Sequence, residues 1–175
     1  MQPLKILIIR HAEQPSPGLP DRGVDESGAP DANSLTVQGW QRAGALARFF
    51  AKPSGGVERP DAIYAAATGR GGRRCIETAT PIAASLGRGL IAQFATDDAR
   101  AVMADVLRRQ GVVLMVWERE MIPALVQALP DAPPIPEKWP AGRFDLIWEL
   151  RRAGAGWQFA ILPQYLLAGD GPPAV

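Results

Sequence analysis

Two unbroken apolar runs constrain this chain more than any other feature. Residues 5–9 read Lys5-Ile6-Leu7-Ile8-Ile9, and residues 112–117 read Val112-Val113-Leu114-Met115-Val116-Trp117. Neither run alternates polar with apolar, so each predicts a strand covered on both faces. Such strands belong to sheets held between layers of helix. Helical periods fill the intervening sequence. Thr36 can cap a helix carrying Val37, Trp40, Ala43, Ala47 and Phe50 on one stripe, with Gly44 on the same face permitting close packing. Residues 62–65 predict a short strand. The 68–74 loop leads into a helix that runs to about Leu86 and closes at Gly87. Residues 90–94 predict another short strand. Thr96 or Asp97 caps a helix carrying Ala99, Val102, Met103, Val106 and Leu107, and Gly111 stops it. Pro123 suits the first turn of a further helix, which Pro130 ends. Beyond a Pro-rich connector at 133–140, strands at 144–150 and 157–162 predict a hairpin turning over 151–156. The alternation predicts an α/β fold: a three-layer sandwich, its central sheet mostly parallel, with helices on both faces and a C-terminal β-hairpin. The length of 175 residues suits a single domain, 1–175.

Charge excludes some classes of partner. The 19 basic and 18 acidic residues leave a net charge of +1, so nothing argues for nucleic acid or a membrane surface. An anion site in this chain has to be local. No Cys/His cluster has metal-ligand spacing, and no metal or cofactor is expected. The lone Cys75 has no internal disulfide partner, which fits a reducing compartment. The first apolar run is too short for a signal core or a membrane span, and a soluble, cytoplasmic protein is expected.

The first run ends in Arg10-His11-Ala12-Glu13, and His11 is the only histidine. The carboxyl end of a strand is where open α/β sheets place ligand-binding groups. A guanidinium matches phosphate oxygens, and a neutral imidazole nitrogen can attack phosphorus. A strand-end histidine satisfied by a backbone carbonyl is the plainer alternative. Nearby positive charge is expected to hold the His11 pKa down, keeping the attacking nitrogen unprotonated. The polar stretch over 14–33 is long for a connection and reads as a substrate-covering loop.

Arg10-His11-Ala12-Glu13 resembles the signature of the histidine phosphatase superfamily, the phosphoglycerate-mutase-like fold, whose first strand is followed by Arg-His-Gly or Arg-His-Ala. Leu35-Thr36-Val37-Gln38-Gly39-Trp40-Gln41-Arg42-Ala43 is similar to that family's Leu-Thr-x-x-Gly-x-x-Arg/Gln-Ala helix start. Residues 63–66, followed by Arg74-Cys75-Ile76-Glu77-Thr78, resemble its second strand and Arg-x-x-x-Thr helix start. The resemblance implies a phosphomonoester hydrolase working through a phosphohistidine on His11, without metal. It implies Arg10 and Arg74 as clamps on a phosphorylated small molecule. Arg74 also opens a helix, where free backbone N–H groups favour anions. Arg70 and Arg73 read instead as a solvated basic loop.

One family feature is missing. Members carry a second pocket histidine after the later strand, and here that segment reads Trp117-Glu118-Arg119-Glu120-Met121-Ile122-Pro123. Some members read Trp-Glu-His-x-x-Ile-Pro, which puts Arg119 in the histidine's place; the commoner spacing would put Glu118 there. Arg119 is the reading adopted, as a further phosphate clamp. Arginine keeps the charge but cannot exchange a proton at neutral pH. The implied activity is therefore slow, and a catalytically inactive phosphate-binding relative is the alternative. Glu118 is the first candidate for general acid, with Glu13, Asp97 and Asp98 behind it. Trp117 and Cys75 read as packing residues.

Overall fold

The computed structural model describes residues 3–69 and 72–173. Six strands form one sheet: β1 (Lys5–Arg10), β2 (Ala62–Ala65), β3 (Leu90–Ile91), β4 (Val112–Trp117), β5 (Leu146–Ala153) and β6 (Gly156–Pro163), in the order β3-β2-β4-β1-β5-β6. The first four are mutually parallel, whereas β5 runs antiparallel to β1 and pairs with β6 as a hairpin. The sheet is therefore mixed, with its parallel half carrying the two apolar runs. Residues 6–9 and 113–117 are completely buried there, as expected for central strands covered on both faces.

Strand order dictates where the helices lie. The chain passes from β1 through α1 (Val37–Ala51) to β2, then through α2 (Arg74–Leu86) to β3, always toward the same edge. It then reverses through α3 (Ala99–Val106) to β4, and α4 (Ile122–Gln127) follows. Right-handed crossovers put α1 and α2 on one face and the reversed connection on the other. Accordingly, α1 packs on α2, and α3 packs with α4. The reversal makes the adjacent carboxyl ends of β1 and β4 the point where connections leave in opposite directions, the usual crevice for a ligand.

Several local expectations shift. The buried face of α1 is Gly39, Arg42, Ala43, Leu46, Ala47 and Phe50, while Val37 is 61 % exposed. Gly39, and not Gly44, makes the close approach: a Cβ there would lie 2.4 Å from the Glu13 carbonyl oxygen, whereas Gly44 faces open space. The cap of α3 is Asp98, whose carboxylate accepts the Ala101 N–H at 3.1 Å, one residue beyond the expected Thr96 or Asp97. Strand β3 is only two residues long. The hairpin strands run further than expected, so Gly154 and Ala155 alone make the turn and Phe144 falls outside the sheet. No helix among the described residues is long and apolar enough to cross a membrane.

Candidate active site at the carboxyl ends of β1 and β4

His11 continues the β1 ladder by one residue, its N–H donating to the Trp117 carbonyl at 3.0 Å. Its side chain is 3 % exposed. The ring Nδ1 lies 2.7 Å from the Ala12 carbonyl oxygen. A carbonyl only accepts, so Nδ1 carries the proton and the lone pair sits on Nε2. Burial holds the His11 pKa down to about 3; the Ala12 hydrogen bond opposes this, and the charges of Arg10 and Arg74 add to the depression. The expected direction is present, but burial is its larger cause.

The arginines divide into two groups. Arg10 is 3 % exposed; its guanidinium lies 3.8 Å from the centroid of the Phe144 ring and donates to the Arg143 carbonyl at 3.4 Å. Its Nε has no hydrogen-bond partner among the described residues. Arg74 opens α2 and donates to the Ala32 carbonyl at 2.8 Å, the Ser34 carbonyl at 3.4 Å and the Gln14 amide oxygen at 3.4 Å. All these acceptors are neutral, and among the described residues neither guanidinium has a carboxylate partner. By contrast, Arg42 pairs with Glu13 and Asp170, each at 2.8 Å, and Arg143 grips Asp145 at 2.6 Å. Arg73 faces Glu26, Asp31 and Glu77 at 3.3–3.7 Å, so it braces the 14–33 loop through ion pairs. Arg70 lies outside the described residues. Burial, then the charge of Arg119, lower the Arg10 pKa to about 10, while Glu120 and Glu13 oppose them. Two buried or half-buried cations that act on an unprotonated imidazole, and that have no carboxylate partner among the described residues, suit a dianion.

The carboxyl end of β4 is built more openly. Arg119 acts on Arg10 more strongly than any other charge, yet its own Nε is paired with the Glu120 carboxylate at 2.5 Å and its side chain is 39 % exposed. Glu120 also acts on His11. Burial pushes its carboxyl up, but the hydrogen bond from Arg119 and the charges of Arg119 and Arg10 prevail and hold it below the usual range. Glu118 and Glu120 both line a depression of about 670 Å³, with Asp97, Thr96 and Met121, over the ends of β2 and β4. The Glu118 charge acts on Cys75, which is buried and held protonated, mainly by that burial. Asp98 is occupied as a cap, and Glu13 as the partner of Arg42. Trp117 is core, donating from its indole to the Thr96 carbonyl at 2.9 Å.

Sequence reasoning missed Phe144 and Glu120. Phe144 covers Arg10 and lies 6.2 Å, ring to ring, from His11. It also borders a cavity of about 320 Å³ with Gln14, Ser16, Leu19 and Asp21 of the long loop. Neither residue carries a local signal: a phenylalanine before a strand and a glutamate after one are ordinary.

No family model matches the sequence, and no curated protein matches it. Solved structures do match. A protein histidine phosphatase, SixA, complexed with tungstate, shares 13 % identity at a TM-score of 0.53, over 91 % of this chain and 97 % of its own. A mutant phosphoserine phosphatase from Entamoeba histolytica, in complex with phosphoserine, shares 13 % at 0.58, over 94 % and 99 %. The ecdysone phosphate phosphatase of Bombix mori, with tungstate, shares 14 % at 0.54, over 98 % and 94 %. The chain has the fold of the histidine phosphatase superfamily.

Proposed function

We propose that this protein hydrolyses a phosphomonoester through a phosphohistidine on His11, slowly because the second pocket histidine is absent. One observation carries the reading. The charges of Arg10 and Arg74 both act on His11, and among the described residues neither guanidinium has a carboxylate partner. In the proposed cycle the Nε2 lone pair attacks phosphorus as the ester P–O bond breaks, and the leaving oxygen takes a proton. Water then attacks the phosphohistidine, releasing phosphate and returning the lone pair to Nε2. Arg10 and Arg74 hold the phosphoryl oxygens, Arg119 joins them after exchanging Glu120 for phosphate, and Glu118 is the proposed proton donor. The superfamily fold supports placing the chain within that superfamily. The 14–33 loop covers a phosphorylated small molecule, and the buried thiol of Cys75 fits a cytoplasmic setting.

A second reading has its own support: Arg119 is already neutralised by Glu120 and no other histidine exists. On that reading the protein holds a phosphorylated ligand without turnover. Hydrolysis of p-nitrophenyl phosphate between about pH 5 and 8, in wild type and His11→Ala, separates the two. Turnover that the mutation abolishes supports the enzyme. Absence of turnover in both proteins, with vanadate bound only by the wild type, supports the binding protein.

A further inference from the structure

We propose that Thr78 is the positioning residue that fixes the reactive form of His11, an inference resting on the phosphohistidine reading for its kinetic part only. Thr78 lies one turn into α2 and is completely buried. Its hydroxyl donates to the Arg74 carbonyl at 2.7 Å, four residues back along the helix. With its proton committed there, the oxygen has a lone pair left, and it accepts the Ala12 N–H at 2.9 Å. Ala12 is the residue whose own carbonyl takes the His11 Nδ1 proton. One hydroxyl therefore ties the backbone of the first clamp-bearing turn of α2 to the backbone that selects the histidine tautomer.

The alternatives for Ala12 are few. Its side chain is buried against Leu35 and Ala43, and the following Glu13 carbonyl is held by the Thr36 N–H at 3.0 Å. Thr78 supplies the hydrogen bond on the remaining side. Without it, the Ala12 amide is buried and unpaired, and the peptide must turn to find a partner. Any such turn moves the Ala12 carbonyl off Nδ1, and the proton is then free to sit on Nε2, the atom that has to attack. A nucleophile oriented by a third group is a recurring arrangement, with the orienter here acting through a peptide.

Because His11 is the sole histidine, the full-length protein labelled with nitrogen-15 histidine gives one imidazole to observe. Wild type and Thr78→Ser are expected to show a single neutral tautomer at pH 7, protonated on Nδ1. Thr78→Val, which keeps the shape but not the hydroxyl, is expected to show a mixture of tautomers. With p-nitrophenyl phosphate, kcat is expected to fall about 10- to 100-fold in Thr78→Val with KM little changed, and to recover in Thr78→Ser. An unchanged Nδ1–H tautomer in folded Thr78→Val overturns the proposal, as does its loss in folded Thr78→Ser. Thr78→Ala replaces the valine variant if that fails to fold. Should the wild type hydrolyse nothing, the phosphatase reading fails while the tautomer measurement still decides the role of Thr78.

Discussion

The carboxyl ends of β1 and β4 lie side by side in parallel register, Arg10 opposite Trp117, yet they are built on different principles. At the end of β1 every side chain is buried and the backbone is tied down: His11 to Trp117, Ala12 to Thr78, Glu13 to Thr36. The Arg10 guanidinium there has been taken out of water with no carboxylate partner among the described residues, which is costly unless an anion arrives. At the end of β4 the arginine stays half in solvent and carries its own counter-charge next door. An exposed pair of that kind contributes well under 1 kcal/mol and exchanges easily. The fold thus keeps a rigid nucleophile half beside an adjustable electrostatic half, and the two can be probed separately.

The rigid half should give the largest effects. His11→Ala is expected to lower kcat against p-nitrophenyl phosphate by at least ~10³-fold, leaving secondary structure by circular dichroism unchanged. Arg74→Gln removes one of the two cations that have no carboxylate partner among the described residues, and should lower kcat/KM by about 10²-fold. An effect below about threefold would mean that Arg74 braces the loop through Ala32 and Ser34 and does nothing more. In the adjustable half, Arg119→His restores a group that can exchange a proton. It should raise kcat by about 10- to 100-fold if β4 limits the rate. A fall there, with phosphate affinity also lost, would mean that Arg119 is a working clamp and not a deficit.

The depressed His11 pKa predicts a separate effect, on stability. Unfolded, the imidazole titrates near its ordinary value of 6.5; folded, burial brings it down to about 3. Between those values the unfolded chain binds a proton that the folded chain does not, so stability rises with pH across that window. The contribution is fully present above pH 6.5 and is lost as pH falls toward 3. Urea unfolding at a series of pH values should show the wild-type curve steeper than that of His11→Gln over this range. Parallel curves would mean that the imidazole is more hydrated than its burial indicates.

Most of the scaffold was legible in the sequence because its signals are local. The run at 112–117 became β4 residue for residue, Thr36 caps α1, and Gly87 closes α2 in the left-handed conformation. The Arg-His pair landed at the topological switch because an apolar run fixes where a central strand ends. What escaped depends on partners distant in the chain. Arg42 sits on the buried face of α1 only because Glu13, Gln164 and Asp170 converge on it, the last from 128 residues away. Gly39 is required by the backbone of Glu13, which no helical pattern reveals. Phe144 reaches Arg10 from a loop 134 positions later. Of the two alignments of the segment after β4, the match of Trp117, Glu118, Ile122 and Pro123 favours Arg119 over Glu118 in the histidine's place. In the structure Arg119 acts on Arg10, while Glu118 acts on Cys75, as do Arg74 and Arg10.

The central claim is that phosphoryl groups pass through His11, and trapping the intermediate tests it most directly. Wild-type protein mixed with radiolabelled phenyl phosphate and quenched in alkali should retain an alkali-stable, acid-labile label. Digestion should place that label on the peptide containing His11, and the Arg119→His variant should turn it over faster. Hydrolysis that proceeds without any protein-bound label, or label on another residue, would contradict the account.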